Sequence, residues 1–428
     1  MKKRLPAKLL MPGKPDIRTS TQRGSRLAAL TAVPAICAGY WWYLASGTDI
    51  DLYEYSKSLA SYDYRQHLGL SKRFLLQYGH MAFLFSLLVC TKYIFTGSWF
   101  SQRHSALISI AAAYTVPVFI FHFPFLYVIA AIIRHDPASN FSQSLLLGLT
   151  TAASIAAGKA CLLLKPRFDR VKRCYLDRIN LRNNPGAPDS GSAIRDDAMM
   201  MAATQSDMMN IVKVLAMTTI LLGHFSFDVF STWEMPGFDG NAPRFAVPAF
   251  FMISGYFAML SVDRTVGNIT KVILKRYWSL IYLVVPMLLL TPVLDAIGFS
   301  LDPALYDRVV YFDIGKERLP ALLSGSDALW RIPFTWITSL LYLNEIWLFN
   351  LVGVNPLLGG VHSFSNEAFW FLCYLMPFQL ILIIARLASG WRRWAGLIMV
   401  AVVCGPPLLL LAPLFFSGCL AYLIHKHW

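Results

Sequence analysis

The sequence has few charged residues and no clustered cysteines. Only 14% of its 428 residues are Asp, Glu, Lys or Arg, whereas a soluble domain carries about 25%. The seven cysteines show no CxxC spacing, so we expect neither a disulfide framework nor a metal site. A cleavable signal peptide is not expected either, because the first apolar run begins near Leu27 behind a basic leader without a small-residue cleavage site. The low share of charged residues argues against a soluble protein.

Long apolar runs dominate instead. Hydrophobic residues make up 56% of the chain, and most runs approach or reach the roughly 20 residues that cross a bilayer as a helix. The sequence therefore predicts an all-α polytopic transmembrane helical bundle of about ten spans plus one re-entrant or interfacial segment. The predicted spans are about 27–47, 74–97, 105–133, 143–164, 210–230, 245–262, 277–298, 366–387, 395–411 and 413–426.

The extra segment is Phe334–Val354, which is apolar but contains Asn344 and Glu345. A full crossing there would place the basic loop at 392–393 on the wrong side of the membrane. Irregular backbone at membrane depth is tolerated where it lines a protein cavity. We therefore predict a re-entrant or interfacial segment, with Asn344 as a candidate substrate-binding residue.

The net charge of +14 is concentrated beside the apolar runs. Basic loops next to spans are typical of the cytoplasmic side of membrane proteins and do not require a nucleic-acid partner. The pattern predicts an integral membrane protein with both termini in the cytoplasm. It divides the chain into a basic leader (1–26), four spans (27–164), a cytoplasmic linker (165–207) and six spans (208–428).

Lys213 and His224 lie eleven residues apart in one apolar run. At 100° per residue, that separation returns to within about 20° of the same helix face, with the two residues roughly 16 Å apart along the axis. Ionisable groups inside a membrane span are functional candidates. The simpler alternative is that Lys213 reaches the headgroups while His224 makes a polar contact between helices.

Two further stretches carry polar residues next to the spans. Ser254 and Tyr256 belong to an apolar run whose small residues more often mark close helix packing than a site. Lys275 and Arg276 begin the next run, where they can bind phosphate or anchor the span at the membrane surface.

Glu367 begins another span, and His362 precedes it by five residues. A carboxylate that enters an apolar span is costly unless it is paired or functional, so Glu367 is a candidate for proton transfer. His362 is more often an ordinary loop histidine.

Taken together, these motifs resemble the membrane-bound acyltransferase 3 family. The Lys213–His224 pair resembles the family's Arg and His with ten residues between them. Three more stretches match in order, namely FFMISGY from Phe250, KRYWSL from Lys275 and NPLLGGVHSFSNEAFWF from Asn355. The sequence departs from the family pattern at Lys213 in place of Arg, at Ser279 in place of a basic residue and at His362 in place of Trp.

The resemblance implies transfer of an acyl group, commonly acetyl, from cytoplasmic acyl-CoA to a hydroxyl of a cell-surface glycan in a bacterial inner membrane. It implies His224 as the general base and Glu367 as the residue that orients it or relays the proton. The implied donor-binding residues are Lys213, Lys275, Arg276 and Ser254, and the implied acceptor-binding residues are His122, His362, Asn344 and Tyr256. Membrane lipid, acyl-CoA and a carbohydrate are the expected partners, and the oligomeric state stays open.

The order of the motifs suggests a circular permutation. The family's final spans resemble AAYTVPVFIFHFPFLYVI, which holds His122 and Pro124 and lies near the N-terminus here. A permuted domain predicts that His122 lines the same cavity as His224. The alternative is an unrelated four-span module fused to a truncated family domain.

Two rival functions remain open at the level of sequence. A transporter or flippase of a glycan or acyl carrier also places ionisable groups near the middle of the membrane. The departures at Lys213 and His362 would also fit a catalytically inactive relative.

Overall fold

The computed structural model describes residues 17–59, 71, 73–94, 102–183, 203–232, 243–264, 269–307, 328–344 and 364–427. These residues form helices and their connections, and no β-strand. The helices are α1 (Ile17–Ala45), α2 (Thr48–Ser58), α3 (Phe74–Ile94), α4 (Gln102–Ile133), α5 (Asn140–Asn183), α6 (Ala203–Phe225), α7 (Pro243–Asp263), α8 (Ile269–Leu301), α9 (Pro303–Asp307), α10 (Ala328–Leu340), α11 (Trp370–Leu387) and α12 (Gly390–His427).

Nine helices in the part of the chain that the structure describes are long and apolar enough to cross a membrane. An α-helix satisfies its own backbone hydrogen bonds, which the hydrocarbon core of a bilayer cannot do. The predicted all-α polytopic class is therefore confirmed. Eight of the nine each overlap one predicted span, and α12 covers the last two.

Helix α12 turns back on itself at Gly405, which has φ 69° and precedes two prolines. The side chain of Ile384 packs against Gly396, while Phe378 packs against Phe415 with ring centroids 5.6 Å apart. Along a straight helix, positions 396 and 415 would lie roughly 28 Å apart, but both contact the same two turns of α11. Residues 390–404 and 406–427 are therefore two antiparallel arms, and the predicted boundary near 412 was several residues too late.

Helix α5 continues far beyond its apolar part. It runs 44 residues to Asn183, so the first half of the predicted linker is helical. Its Arg, Lys and Leu residues are good helix formers even where the charges face solvent. Of the other linker residues, 184–202 lie outside the described residues, and 203–207 form the start of α6.

Helix α10 has 13 residues, or about 20 Å, which is too short to cross a bilayer. Thr335, Thr338 and Ser339 are buried, whereas Ile337 is exposed. One face therefore packs on the protein and the other points outward, as expected of a re-entrant or interfacial segment. The rest of that predicted segment, 345–354, lies outside the described residues.

The N-terminal helices do not form a bundle of their own. Helix α3 packs against α7 and α12, whereas α4 packs against α6 and α8. The first four long helices are thus divided between two sides of the later ones. Helix α4 is the central element, and its middle is almost fully buried.

Small residues set the closest helix pair, α7 and α12. A Cβ atom on Gly255 would collide with the carbonyl of Phe415, and one on Gly418 would collide with the carbonyl of Met252. Small residues that let two backbones touch are the usual basis of helix packing in membranes. This contact fixes α7 against the C-terminal arm of α12.

Candidate active site

Two imidazoles from distant parts of the chain meet inside the bundle. Nε2 of His122, on α4, lies 2.7 Å from Nδ1 of His224, on α6. The two rings are nearly parallel, with an interplanar angle of 3° and centroids 5.0 Å apart. His122 is fully buried, whereas His224 is only partly buried, so His224 is the more accessible ring of the two.

The partners of His122 define the direction of this hydrogen bond. Nδ1 of His122 lies 2.8 Å from the carbonyl oxygen of Phe119 and 3.2 Å from that of Val118. A carbonyl oxygen only accepts, so Nδ1 carries the hydrogen. A neutral imidazole has a single N–H, so Nε2 of His122 accepts the bond that Nδ1 of His224 donates. This tautomer leaves a lone pair on Nε2 of His224.

Aromatic side chains hold the ring of His224 in place. The ring of Phe123 lies 4.3 Å from it between centroids, and that of Phe227 lies 5.7 Å away. No described residue hydrogen-bonds to Nε2 of His224. That nitrogen is therefore the one available to take a proton.

Lys213 and His224 lie on the same continuous helix, α6, as the spacing predicted. Nζ of Lys213 lies 4.0 Å from the centroid of the Phe257 ring. Such a cation–π contact is worth about 0.5–2 kcal/mol. No acidic side chain of the described residues forms an ion pair with Lys213, so its charge is available to an anionic ligand.

Glu367 is buried at the first turn of the short 3-10 helix Glu367–Phe369. Its Oε2 has no hydrogen-bond partner among the described residues. The predicted role of orienting His224 does not fit the geometry, because Nδ1 of His224 donates its hydrogen bond to His122. The alternative role, relay of the proton, stays a prediction.

Asp295 is a buried acid that the sequence motifs did not reveal. It is fully buried in the C-terminal half of α8, and its Oδ2 accepts a hydrogen bond of 3.0 Å from the backbone N–H of Ser365. Its Oδ1 has no partner among the described residues. The feature of the sequence that could have identified Asp295 is that it is a lone carboxylate in the apolar stretch after Pro292.

Comparison of the sequence with known proteins identifies the family of this chain. A family model described as an acyltransferase domain, the acyltransferase 3 model, matches residues 207–428. The chain belongs to the acyltransferase 3 family. No curated protein and no solved structure matches the chain significantly.

The family assignment confirms the resemblance read from the sequence and makes this protein a membrane acyltransferase. The matched residues include Lys213, His224 and Glu367. His122 lies outside them, on a helix that precedes the matched part. The side chain that contacts the candidate base of this acyltransferase 3 domain therefore comes from the N-terminal spans.

Of the two predicted site residues on α7, Tyr256 is part of the helix packing rather than of an open site. The hydroxyl of Tyr256 lies 3.0 Å from Nδ1 of His425 and its ring packs on Tyr422. Tyr256 is buried at 2% exposure, so the predicted contact with the acceptor is not supported. Ser254 is partly buried on the same helix and stays a candidate for the donor.

The remaining predicted residues are spread around the bundle. Asn344 is buried and donates a hydrogen bond of 3.0 Å to Ser339. Lys275 is exposed near the start of α8, and the neighbouring Arg276 lines an apolar cavity of about 290 Å³. His362 lies outside the described residues. His122 is fully buried with both ring nitrogens bonded, so the predicted contact with the acceptor is replaced by contact with His224.

Proposed function

We propose that this acyltransferase moves an acyl group, most simply acetyl, from cytoplasmic acyl-CoA to a hydroxyl of a carbohydrate-like acceptor. The observation that carries the proposal is the hydrogen bond between His122 and His224, which leaves one imidazole nitrogen free as a base. We place the protein in a bacterial inner membrane with both termini in the cytoplasm. The basic residues around 165–183 and 271–276 support that orientation.

The chemical step follows from the tautomer of the pair. Nε2 of His224 takes the proton of the acceptor hydroxyl as the oxygen attacks the thioester carbonyl. The C–O bond forms, the C–S bond breaks, and the CoA thiolate takes the proton back from His224. In between, His224 is an imidazolium whose Nδ1–H is held by His122, much as a third residue holds the base in other acyl-transfer sites.

The donor would bind toward the cytoplasmic end of α6. CoA carries phosphates, and Lys213, Lys275 and Arg276 supply positive charge in that half of the molecule. Ser254, partly buried on α7, is the candidate hydroxyl for the donor. The thioester arm would then extend along the Lys213 face of α6 toward His224.

Glu367 is proposed to bind the acceptor hydroxyl or to relay its proton, since the orienting role belongs to His122. A carboxylate oxygen without a partner in an apolar setting favours contact with a hydroxyl group of a ligand. Glycans carry many hydroxyl groups that could make this contact, which supports the carbohydrate-like acceptor.

We further propose that the chain is a circularly permuted form of the family domain. The contact of His122 with His224 and the packing of α4 between α6 and α8 support one interleaved domain. A fused accessory module would be expected to pack as a unit beside the rest. Permutation is tolerated where the new termini are exposed.

Activity can be tested with purified protein, acetyl-CoA labelled in the acetyl group and a cell-envelope glycan extract. The proposal expects free CoA thiol and labelled glycan in equal amounts. Transport of unmodified glycan in proteoliposomes, without thioester consumption, would instead support the transporter or flippase. Absence of both would indicate an inactive relative.

Replacing Lys213 tests the donor site. Lys213→Ala should raise the KM for acetyl-CoA by roughly tenfold or more, because a charge-assisted contact to phosphate is lost. Lys213→Arg should stay close to wild type. Lys159→Ala is the matched control, since Lys159 is an exposed lysine within the apolar part of α5. An unchanged KM in Lys213→Ala would show that Lys213 serves only as a membrane anchor.

Splitting the chain in the linker tests the permutation. Residues 191–428, expressed alone, should show no acyl transfer, because His122 and half of the packing around α6 are missing. Co-expression with residues 1–190 as a separate chain should restore activity, measured as release of CoA. Full activity of 191–428 alone would contradict the single-domain account.

A further inference from the structure

Helix α4 contains a backbone carbonyl without a helical partner. In an α-helix the carbonyl of residue i accepts from the N–H of residue i+4. Four residues after Ile120 stands Pro124, which has no N–H. The carbonyl of Ile120 must therefore find another donor or stay unsatisfied in the protein interior.

The side chain of Asn366 supplies that donor. Its Nδ2 lies 2.7 Å from the carbonyl oxygen of Ile120, and Asn366 is 1% exposed. Asn366 directly precedes Glu367, and Ile120 is two residues from His122. One hydrogen bond thus joins the segment that carries the candidate acid to the helix that carries the partner of the candidate base.

The same segment is held from a second side. The backbone N–H of Ser365 donates to Asp295 on α8 at 3.0 Å. Phe364 just before it has φ 58°, a left-handed conformation that a bulky residue adopts only when its surroundings impose it. Two hydrogen bonds, one to α8 and one to α4, therefore fix the start of the Glu367 turn.

We infer that Asn366 is a positioning residue. Its hydrogen bond to the Ile120 carbonyl, which Pro124 leaves without a helical donor, fixes the position of Glu367 relative to the His122–His224 pair. The inference rests on the proposed function for its catalytic consequence. The hydrogen bond itself does not depend on that function. A carboxylate or hydrogen-bond partner shifted by about 1 Å is enough to slow a positioned reaction.

The test is a double-mutant cycle on Asn366→Ala and Pro124→Ala. Alanine at 124 restores an N–H that can donate to the Ile120 carbonyl, so this carbonyl no longer depends on Asn366 for a donor. We expect Asn366→Ala to lower kcat about tenfold with the KM for acetyl-CoA unchanged, and the double variant to be no slower than the slower single variant. Asn366→Leu, which keeps a similar size but has no hydrogen-bond donor, should be as slow as Asn366→Ala.

Pro117→Ala is the control for the loss of a proline from α4, and its effect should add to that of Asn366→Ala. The unfolding midpoints of the same proteins form a second cycle that needs no activity. If the midpoints are non-additive but the wild-type protein consumes no acyl-CoA, the result supports the Asn366 contact and refutes the proposed function. Additive midpoints, full activity of Asn366→Leu, or an effect confined to KM would overturn the inference.

Discussion

Replacing His224 by Ala should lower acyl transfer by about 10²–10⁴-fold, because a positioned general base contributes that much to proton transfer. The protein should still insert and purify, since the ring is only partly buried and its one described hydrogen bond is to His122. The measurement is release of CoA thiol from acetyl-CoA in the presence of the glycan extract.

His135→Ala is the matched control. The side chain of His135 also links the ends of two helices of this region. It is hydrogen-bonded to Ser142 at the start of α5 at 2.8 Å and to the carbonyl of Phe230 just after α6 at 2.7 Å. It is not part of the His122–His224 pair. Its replacement should leave the rate within a fewfold of wild type. An equal loss in both variants would show that His224 acts through the fold and not through chemistry.

Replacing His122 by Phe should have the second largest effect. Phenylalanine keeps a buried ring but cannot accept the bond from Nδ1 of His224. A hydrogen bond to a charged donor is worth about 1.5–3 kcal/mol, and the charge on His224 exists only during the reaction. The rate constant kcat should therefore fall roughly 10- to 100-fold, with the KM for acetyl-CoA unchanged.

His80→Phe provides the comparison for a buried imidazole outside the site. His80 lies on α3 and is hydrogen-bonded to the hydroxyl of Tyr40 at 3.0 Å. We expect its kcat within about twofold of wild type, since it contacts neither half of the pair. A His122→Phe variant as active as His80→Phe would contradict the orienting role.

The fold class and the placement of Lys213 and His224 on one helix face could be predicted from the sequence. Each depends only on the spacing of residues within individual helices. Runs of about 20 apolar residues give the spans, and an eleven-residue step places Lys213 and His224 on one face. The sequence did not reveal that α5 continues beyond its apolar part to Asn183. A basic run resembles a linker in composition, but its residues also favour helix.

Contacts between helices were harder to predict. The partner of His224 is His122 rather than Glu367, and only the resemblance to a family motif suggested that the two histidines share a cavity. Asp295 belongs to none of the motifs, and its role is visible only in the bond to Ser365. Tyr256 stands in a signature motif, yet its neighbours Gly255 and His425 make it part of the packing between α7 and α12.

The turn within α12 shows the same limit. The apolar pattern predicted two spans, 395–411 and 413–426, with their boundary at 412. The chain instead reverses at Gly405, which is free to adopt φ 69°. A proline kinks a helix, but the position of a full reversal depends on which residue can take a left-handed conformation against α11.

The central claim is that His122 and His224, from separate parts of the chain, act as one unit in acyl transfer. The most direct test measures the rate of labelled acetyl transfer for wild type, His122→Phe, His224→Ala and the double variant. Residues that act as a unit are strongly non-additive, so the double variant should be no slower than His224→Ala. A double variant slower by the product of the two single effects would contradict the claim.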